Sequence, residues 1–537
     1  MPNPIQLTPQ HLQAVQRKRR IALNFDVSFA TRIWIRRNPD GNVDDLVDHL
    51  FDFTDQDGVV NDSIWWNWTE GNQVPYPSKH LPLFDEPTFR SWIEAGIDIV
   101  RLVDEATRRR GVESFYSHRM NGSDNDLGPF AEIPMKVEHP DWMFRTPWCV
   151  HEHNGYWNFA LPQVHDYAIR NLLEVAEMYD FDGIDLDFAR GVVFPSGEGW
   201  INRDALTAFV RRLREALLEI AVCRGRPLLL SARIPETLAG CHFDGIDIET
   251  WVGNGLVDVL ALGVRSFEVD LGAFRDLVAG THVALLPSLD DHHASDGYQN
   301  PGIEVLRGVA ANWWHQGADG IQAFNWNYGE GYPYTDQDWP GHLQAYREIG
   351  DPELLVGKDK TFVVERRGGG HGPTVIPNPE DWSTPRHAYA NTNMKAQLPV
   401  ALSNDERVDT MLRLCVTDAV DGGDAEATIR LLLSDTGAGA GARAERLVPV
   451  IVATIGHAKP GLTNQPAAKA VASAVRVRIN NIPLPSPTVD GGWLVTTVDR
   501  GALAVGQNLL GISVTGREPG APALLVEKLE LSISYPS

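Results

Sequence analysis

The run Asp182-Gly183-Ile184-Asp185-Leu186-Asp187-Phe188 carries the most informative chemistry in the chain. Successive side chains of a strand point to opposite faces. Ile184, Leu186 and Phe188 then share an apolar face, while Gly183, Asp185 and Asp187 share the other. Two carboxylates on an enclosed face are costly unless they have partners or a task. Asp187, nearer the strand end, is expected to be a catalytic carboxylate. Asp185 orients it or raises its pKa through like-charge proximity. The competing reading is an acidic pair locked to arginines.

Acid/base or nucleophilic work on a glycosidic bond takes a second carboxyl group. Glu236, Glu268, Asp290 and Asp291 all follow strand-like runs. Glu268 is preferred, because it follows Arg265 in a loop expected to overhang the site. The same alternation turns Asn24, Asp26, Arg233 and Arg265 inward, and Arg119 and Arg190 follow two further strands. Four consecutive strands thus bring an arginine to one end. Guanidinium forks match carboxylate or sulfate, so this ring implies recognition of an anionic group such as a uronic or sulfated sugar. Alternatively, it neutralises Asp26, Asp185 and Asp187. Asn325 and Trp326 close the set by binding and stacking a sugar, with Trp68, His118 and Asn121 as further substrate contacts. Trp326 serves equally well as packing.

His151-Glu152-His153 and His292-His293 raise a metal-dependent hydrolase as a rival. The first strand carries Asn24 and Asp26 and no histidine, and both histidine groups fall in loops. No metal and no cofactor are therefore expected.

These residues need a frame. From about residue 20 to 350, short apolar runs alternate with helical patterns, as in a parallel sheet with crossover helices. Strand-like runs are Arg20–Asp26, Asp62–Trp68, Val112–Arg119, Gly183–Phe188, Leu228–Ile234, Val257–Arg265, His282–Pro287 and Gly320–Trp326. Helix candidates lie near 43–55, 87–110, 163–179, 203–223, 244–255, 271–279, 302–316 and 338–348. Eight strands, each followed by a helix, make a closed (β/α)₈ barrel, with chemistry at the C-terminal ends of the strands. Beyond Pro352 the composition shifts to Gly, Pro and Asn. Short alternating runs from about 397 to 535 then read as a β-sandwich. The expected division is a 1–19 arm, a 20–352 barrel, a 353–396 linker with loops, and a 397–537 sandwich.

The formal net charge of −24 excludes the basic footprint that nucleic acids and anionic membranes require. Met1–Arg20 lacks an apolar segment of signal-peptide length, and no run is long enough to span a bilayer. The four cysteines have no CxxC spacing, which argues against a disulfide framework or zinc site and for a cytoplasmic location. Sixteen tryptophans, many near expected strand ends, suit stacking on sugar C–H faces as well as core packing.

FDGIDLDFAR, with Glu113–Asn121 (ESFYSHRMN), Pro75–His80 (PYPSKH) and Trp157–Tyr167 (WNFALPQVHDY), resembles a group of bacterial glycoside-hydrolase-like barrel proteins over most of residues 20–350. The run is also similar to the DGxDxDxE stretch of family 18 chitinases. Ala189 stands where that family has its proton-donating glutamate, so chitinase-type substrate-assisted chemistry is not implied. Likeness to the α-galactosidase type of barrel implies a nucleophilic Asp187 with an acid on the sixth strand. Val475–Pro485 and Gly506-Gln507-Asn508 resemble the jelly-roll modules appended to glycosidases, which brace the barrel or bind sugar. The expectation is a glycoside hydrolase with a carbohydrate partner, or else a non-catalytic carbohydrate-binding barrel. A homo-oligomer is compatible with either.

Overall fold

The computed structural model describes residues 4–69, 72–122, 133–146, 149, 154–189, 191–263, 266–290, 298, 301–326, 340–367, 393–418, 425–435 and 471–536. Arg190, Arg265, Asp291, Trp148 and the histidines at 151, 153, 292 and 293 lie outside them, as do most of the Gly/Pro-rich stretch after Arg367 and the GAGAGARA stretch.

Eight parallel strands close into a barrel in sequence order: β1 (Ile21–Phe25), β2 (Ser63–Asn67), β3 (Glu113–Arg119), β4 (Gly183–Asp187), β5 (Leu229–Ile234), β6 (Val259–Leu262), β7 (Ala284–Asp290) and β8 (Ile321–Phe324). All eight fall within or beside the expected runs. Outward residues such as Ile184, Leu186, Leu230, Leu260 and Leu285 join the large core under the helices. Inside, Ala22, Trp65, Phe115, Leu229, Val259, Ala261 and Leu286 form an apolar floor. Gly183 is glycine for a steric reason: a Cβ there would stand 2.2 Å from the Phe115 ring.

The helices depart from expectation where local signals are weak. Val27–Arg37 is a helix the patterning misses, since β-branched and aromatic residues favour it little and Asp26 leads from strand to helix with no loop. The span 87–110 is two helices, Pro87–Glu94 and Ile99–Arg109. They break at Gly96 (φ 78°), and Asp98 caps the second through the N–H groups of Val100 and Arg101. In the expected arm, helix Pro9–Val15 plugs the barrel floor, with Val15 and Ala14 against the interior apolar layer. Arg19 behind it is buried and grips Glu113 at 2.6 and 2.7 Å.

The C-terminal part is antiparallel. Its strands are β9 (Lys360–Val363), β10 (Val400–Ala401), β11 (Thr410–Val416), β12 (Glu426–Asp435), β13 (Val475–Ile479), β14 (Ile482–Pro483), β15 (Thr488–Asp490), β16 (Trp493–Val498), β17 (Gly506–Val514) and β18 (Leu524–Ser534). One sheet runs β9-β18-β12-β16-β15, with β10 also on β18, and the other runs β11-β17-β13-β14. Both contribute to one core, including Leu412, Ile429, Leu431, Val477, Leu510 and Leu529, which makes a sandwich. Lys360–Val363 lies in the stretch expected as linker and is an edge strand instead. Phe362 enters the sandwich core and Val363 the barrel core. Helix Ile303–His315 rests directly on this strand: a Cβ at Gly308 would stand 2.3 Å from the Thr361 carbonyl.

At the barrel floor Asp258 is fully buried and saturated. It accepts from both Arg214 terminal nitrogens (2.7 Å each), His11 (3.0 Å), His282 (3.1 Å) and the Leu230 N–H (2.8 Å). Burial alone would raise its pKa, but the Arg214 charge and the two histidine hydrogen bonds outweigh burial and hold it well below the carboxylate range. The stability it contributes is complete above the unfolded-state carboxylate pKa and is lost as pH falls through the depressed folded value. Asp258→Ala strands a buried guanidinium and should lower unfolding free energy by about 3–5 kcal/mol in urea titrations at neutral pH. A loss under 1 kcal/mol would contradict this account.

Candidate active site

The inward residues of the upper barrel form a polar layer above the apolar floor. Asp185 is cradled by the hydroxyls of Ser117 and Ser231, each donating at 2.7 Å to a different carboxyl oxygen. Asn24 donates to Ser117 at 3.0 Å and fixes that hydroxyl. Burial, and then the neighbouring Asp187 charge, push Asp185 up to about 7 against the two serine hydrogen bonds. The serines stand at inward positions of β3 and β5, so strand alternation could have flagged them.

Asp187, one pleat higher, is fully buried. Its Oδ1 accepts the Ala189 N–H at 2.8 Å, and this tight turn is where the chitinase-type motif would place a glutamate. Its Oδ2 has no hydrogen-bond donor among the described groups. Among the described residues the nearest cation is Arg233, at 3.8 Å. The other terminal nitrogen of Arg233 lies 3.9 Å from Asp290 at the end of β7. Its Nε donates to the Gly263 carbonyl at 3.0 Å, and the guanidinium lies 4.1 Å from the centroid of the Phe324 ring. Glu236, just past β5, is 5% exposed, and its Cγ lies 3.8 Å from where a side chain on Gly263 would begin. Asp187, Asp290 and Glu236 therefore converge on the Arg233–Gly263 corner of the mouth.

Across the mouth, Arg119 pairs with Asp26. Asn325 holds Asp26 from the other side, donating Nδ2 to the carboxylate at 2.7 Å and accepting the Asp26 N–H at 2.8 Å. Asn325 does this with φ at 58°, a left-handed conformation that asparagine tolerates better than most residues. Both described arginines of the expected ring thus engage carboxylates.

Several expected site residues lie elsewhere. Trp68 and Trp326 are fully buried in the helix-facing core. Trp326 stacks on His342 at 4.9 Å, so core packing takes the ring faces that sugar stacking would need. Asn121 uses its amide internally, donating to the carbonyls of Trp157 (2.8 Å) and Val192 (2.9 Å) and accepting the Trp157 N–H (2.8 Å). His118 is half-buried beside Thr69, and burial lowers its imidazole to about 4. Glu268 accepts the Glu365 N–H at 3.2 Å. Burial pushes it up to about 7, against that hydrogen bond and the charges of Lys395 and Arg413. Its contacts are with the C-terminal part, and no described contact joins it to Asp187. Among the described residues no group of three or more His, Cys, Asp or Glu is placed to hold a metal ion, and no helix is long and apolar enough to cross a membrane.

No family model matches the chain. Over 115 residues it is 25% identical to the glycosyl hydrolase YngK of Bacillus subtilis, a stretch covering 21% of this chain and 22% of that protein. The match thus spans about a fifth of the relative's length. Similar solved structures include an Anoxybacillus alpha-amylase (TM-score 0.39, 10% identity, 94% of this chain and 99% of that one). A Paenibacillus cycloisomaltooligosaccharide glucanotransferase is also similar (TM-score 0.34, 9% identity, 96% of this chain and 57% of that one). The chain is thus a (β/α)₈ barrel with a C-terminal sandwich, similar over part of its length to a bacterial glycosyl hydrolase.

Proposed function

We propose that this chain is a glycoside hydrolase in which Asp187 acts at the anomeric carbon and Glu236 is the proton donor. The observation that carries the reading is the Asp187 Oδ2 atom, buried at the end of β4 with no described donor and with Glu236 and Asp290 at the same corner. A carboxyl oxygen left unsatisfied in a closed site is costly, and a reacting centre would use it. Glu236 takes the role first expected of Glu268, because it borders the Arg233–Gly263 corner, whereas Glu268 contacts the C-terminal part. The similarity to a glycosyl hydrolase supports the reaction class. Arg119 and Arg233 balance the carboxylates at the mouth, which supports a substrate that needs no anionic group.

Purified protein should release sugar from at least one member of a panel of aryl glycosides and end-labelled oligosaccharides. Asp187→Asn and Glu236→Gln should each lower kcat by about 10²–10⁴-fold while keeping the wild-type circular dichroism. No release by the wild type, with glycan binding intact in both variants, would make this a carbohydrate-binding barrel.

Asp185 supports the site by holding its proton more tightly than an ordinary carboxyl, which lowers the negative charge beside Asp187. Its folded pKa of about 7 exceeds the unfolded carboxylate value. The folded state therefore binds the extra proton, and stability falls as pH rises from about 4 to 7, by at most about 1.4 kcal/mol per unit from this group. Asp185→Asn is neutral throughout, so its stability relative to wild type should climb across that window and level off above it. Parallel pH–stability curves for the two proteins would show that Asp185 ionises normally.

A further inference from the structure

Glu365 follows the edge strand β9 and is 1% exposed. A buried carboxylate needs hydrogen-bond donors, and Glu365 finds two on a single barrel loop. Its Oε2 accepts the Phe267 N–H at 2.6 Å and the Glu268 N–H at 3.0 Å. The loop returns the bond, since Glu268 Oε1 accepts the Glu365 N–H at 3.2 Å. Asn393, from the same side, donates to the Glu268 carbonyl at 2.7 Å, and Lys395 holds Asp270 at 2.7 Å. On the barrel side, Trp313 donates to the Phe267 carbonyl at 3.0 Å. The stretch 266–270 is thus clamped from both sides.

What the clamp holds is the backbone of the acid. The Asp270 N–H donates to the Glu236 carbonyl at 2.9 Å. A chain of contacts therefore runs from Glu365 through Phe267, Glu268 and Asp270 to Glu236. Next to it, Tyr298 packs its ring 5.6 Å from Phe267 and donates to Glu530 of β18 at 3.0 Å. Phe267 and Glu268, beyond β6, and Tyr298, beyond β7, thus each bond to the C-terminal part.

We propose that Glu365 is a positioning residue for the barrel's chemistry: through the 266–270 loop it sets the placement of Glu236, making the C-terminal part a component of the active site. This rests on the reading of Glu236 as the proton donor. The effect on rate follows from geometry, since a misplacement of about 1 Å at a reacting group costs on the order of 10²-fold.

The test compares the full-length wild type with Glu365→Ala and Glu365→Gln by residue-resolved hydrogen exchange and steady-state kinetics. Glu365→Ala removes the acceptor directly from Phe267 and Glu268, so the discriminating amide is Asp270. The expected result is faster exchange at Asp270, kcat lowered by about 10²-fold with KM nearly unchanged, and a shifted alkaline limb of the pH–rate profile, which reports the proton donor. Glu365→Gln, which keeps a carbonyl acceptor, should recover most of each. If Glu365→Ala does not fold, Asn393→Ala, which loosens the same loop, should give the same changes in smaller measure. Unchanged exchange at Asp270, or unchanged kcat and pH profile in an active enzyme, would overturn the proposal. If the wild type cleaves no glycan yet Asp270 exchange still responds to Glu365→Ala, the mechanical coupling stands and the hydrolase reading fails.

Discussion

Arg233 is enclosed at the end of β5 with 1% of its side chain exposed, so its charge has to be met from within the barrel. Asp187 and Asp290 flank its two terminal nitrogens, the Gly263 carbonyl takes its Nε, and the Phe324 ring covers its face. Four strand ends from β4 to β8 are thereby tied to one guanidinium. The 3.8 and 3.9 Å separations to the carboxylates exceed hydrogen-bond length. Arg233 therefore gathers the acids without consuming their oxygens. Across the mouth, Asp26 is held at hydrogen-bond distance by Asn325 and paired with Arg119.

The two aspartates of β4 show how environment separates like groups. Asp185 lies one pleat deeper, with both oxygens on serine hydroxyls and Asp187 above it, and its pKa rises to about 7. Asp187 has one backbone N–H and an oxygen with no donor among the described residues. The two aspartates stand only two positions apart, yet they receive different chemistry because the neighbouring strands present serines at one level and arginines at the next.

The barrel is legible in the sequence because parallel strands buried on both sides give short apolar runs, and alternation within them assigns Asn24, Asp26, Asp185, Asp187 and Arg233 to the interior. Less legible are features decided by distant partners. Glu268 looks like a mouth residue until Glu365, 97 positions away, is seen to occupy its loop. Trp68 and Trp326 end strand-like runs, where a platform and a core residue have the same local pattern. Lys360–Val363 has linker-like neighbours, and its identity as a strand comes from pairing with β18. Helix Pro9–Val15 is too short for periodicity to register, and its place is set by His11 and Arg19 reaching Asp258 and Glu113.

The central claim is that the Arg233 corner is where a glycosidic bond is broken. A crystal structure of the Glu236→Gln variant soaked with an oligosaccharide that the wild type cleaves addresses this most directly. The account predicts a sugar seated at the mouth with its anomeric carbon about 3–3.5 Å from Asp187 Oδ2 and the scissile oxygen within hydrogen-bond reach of residue 236. Oligosaccharide found only on the sandwich, with the Asp187 corner empty, would contradict it.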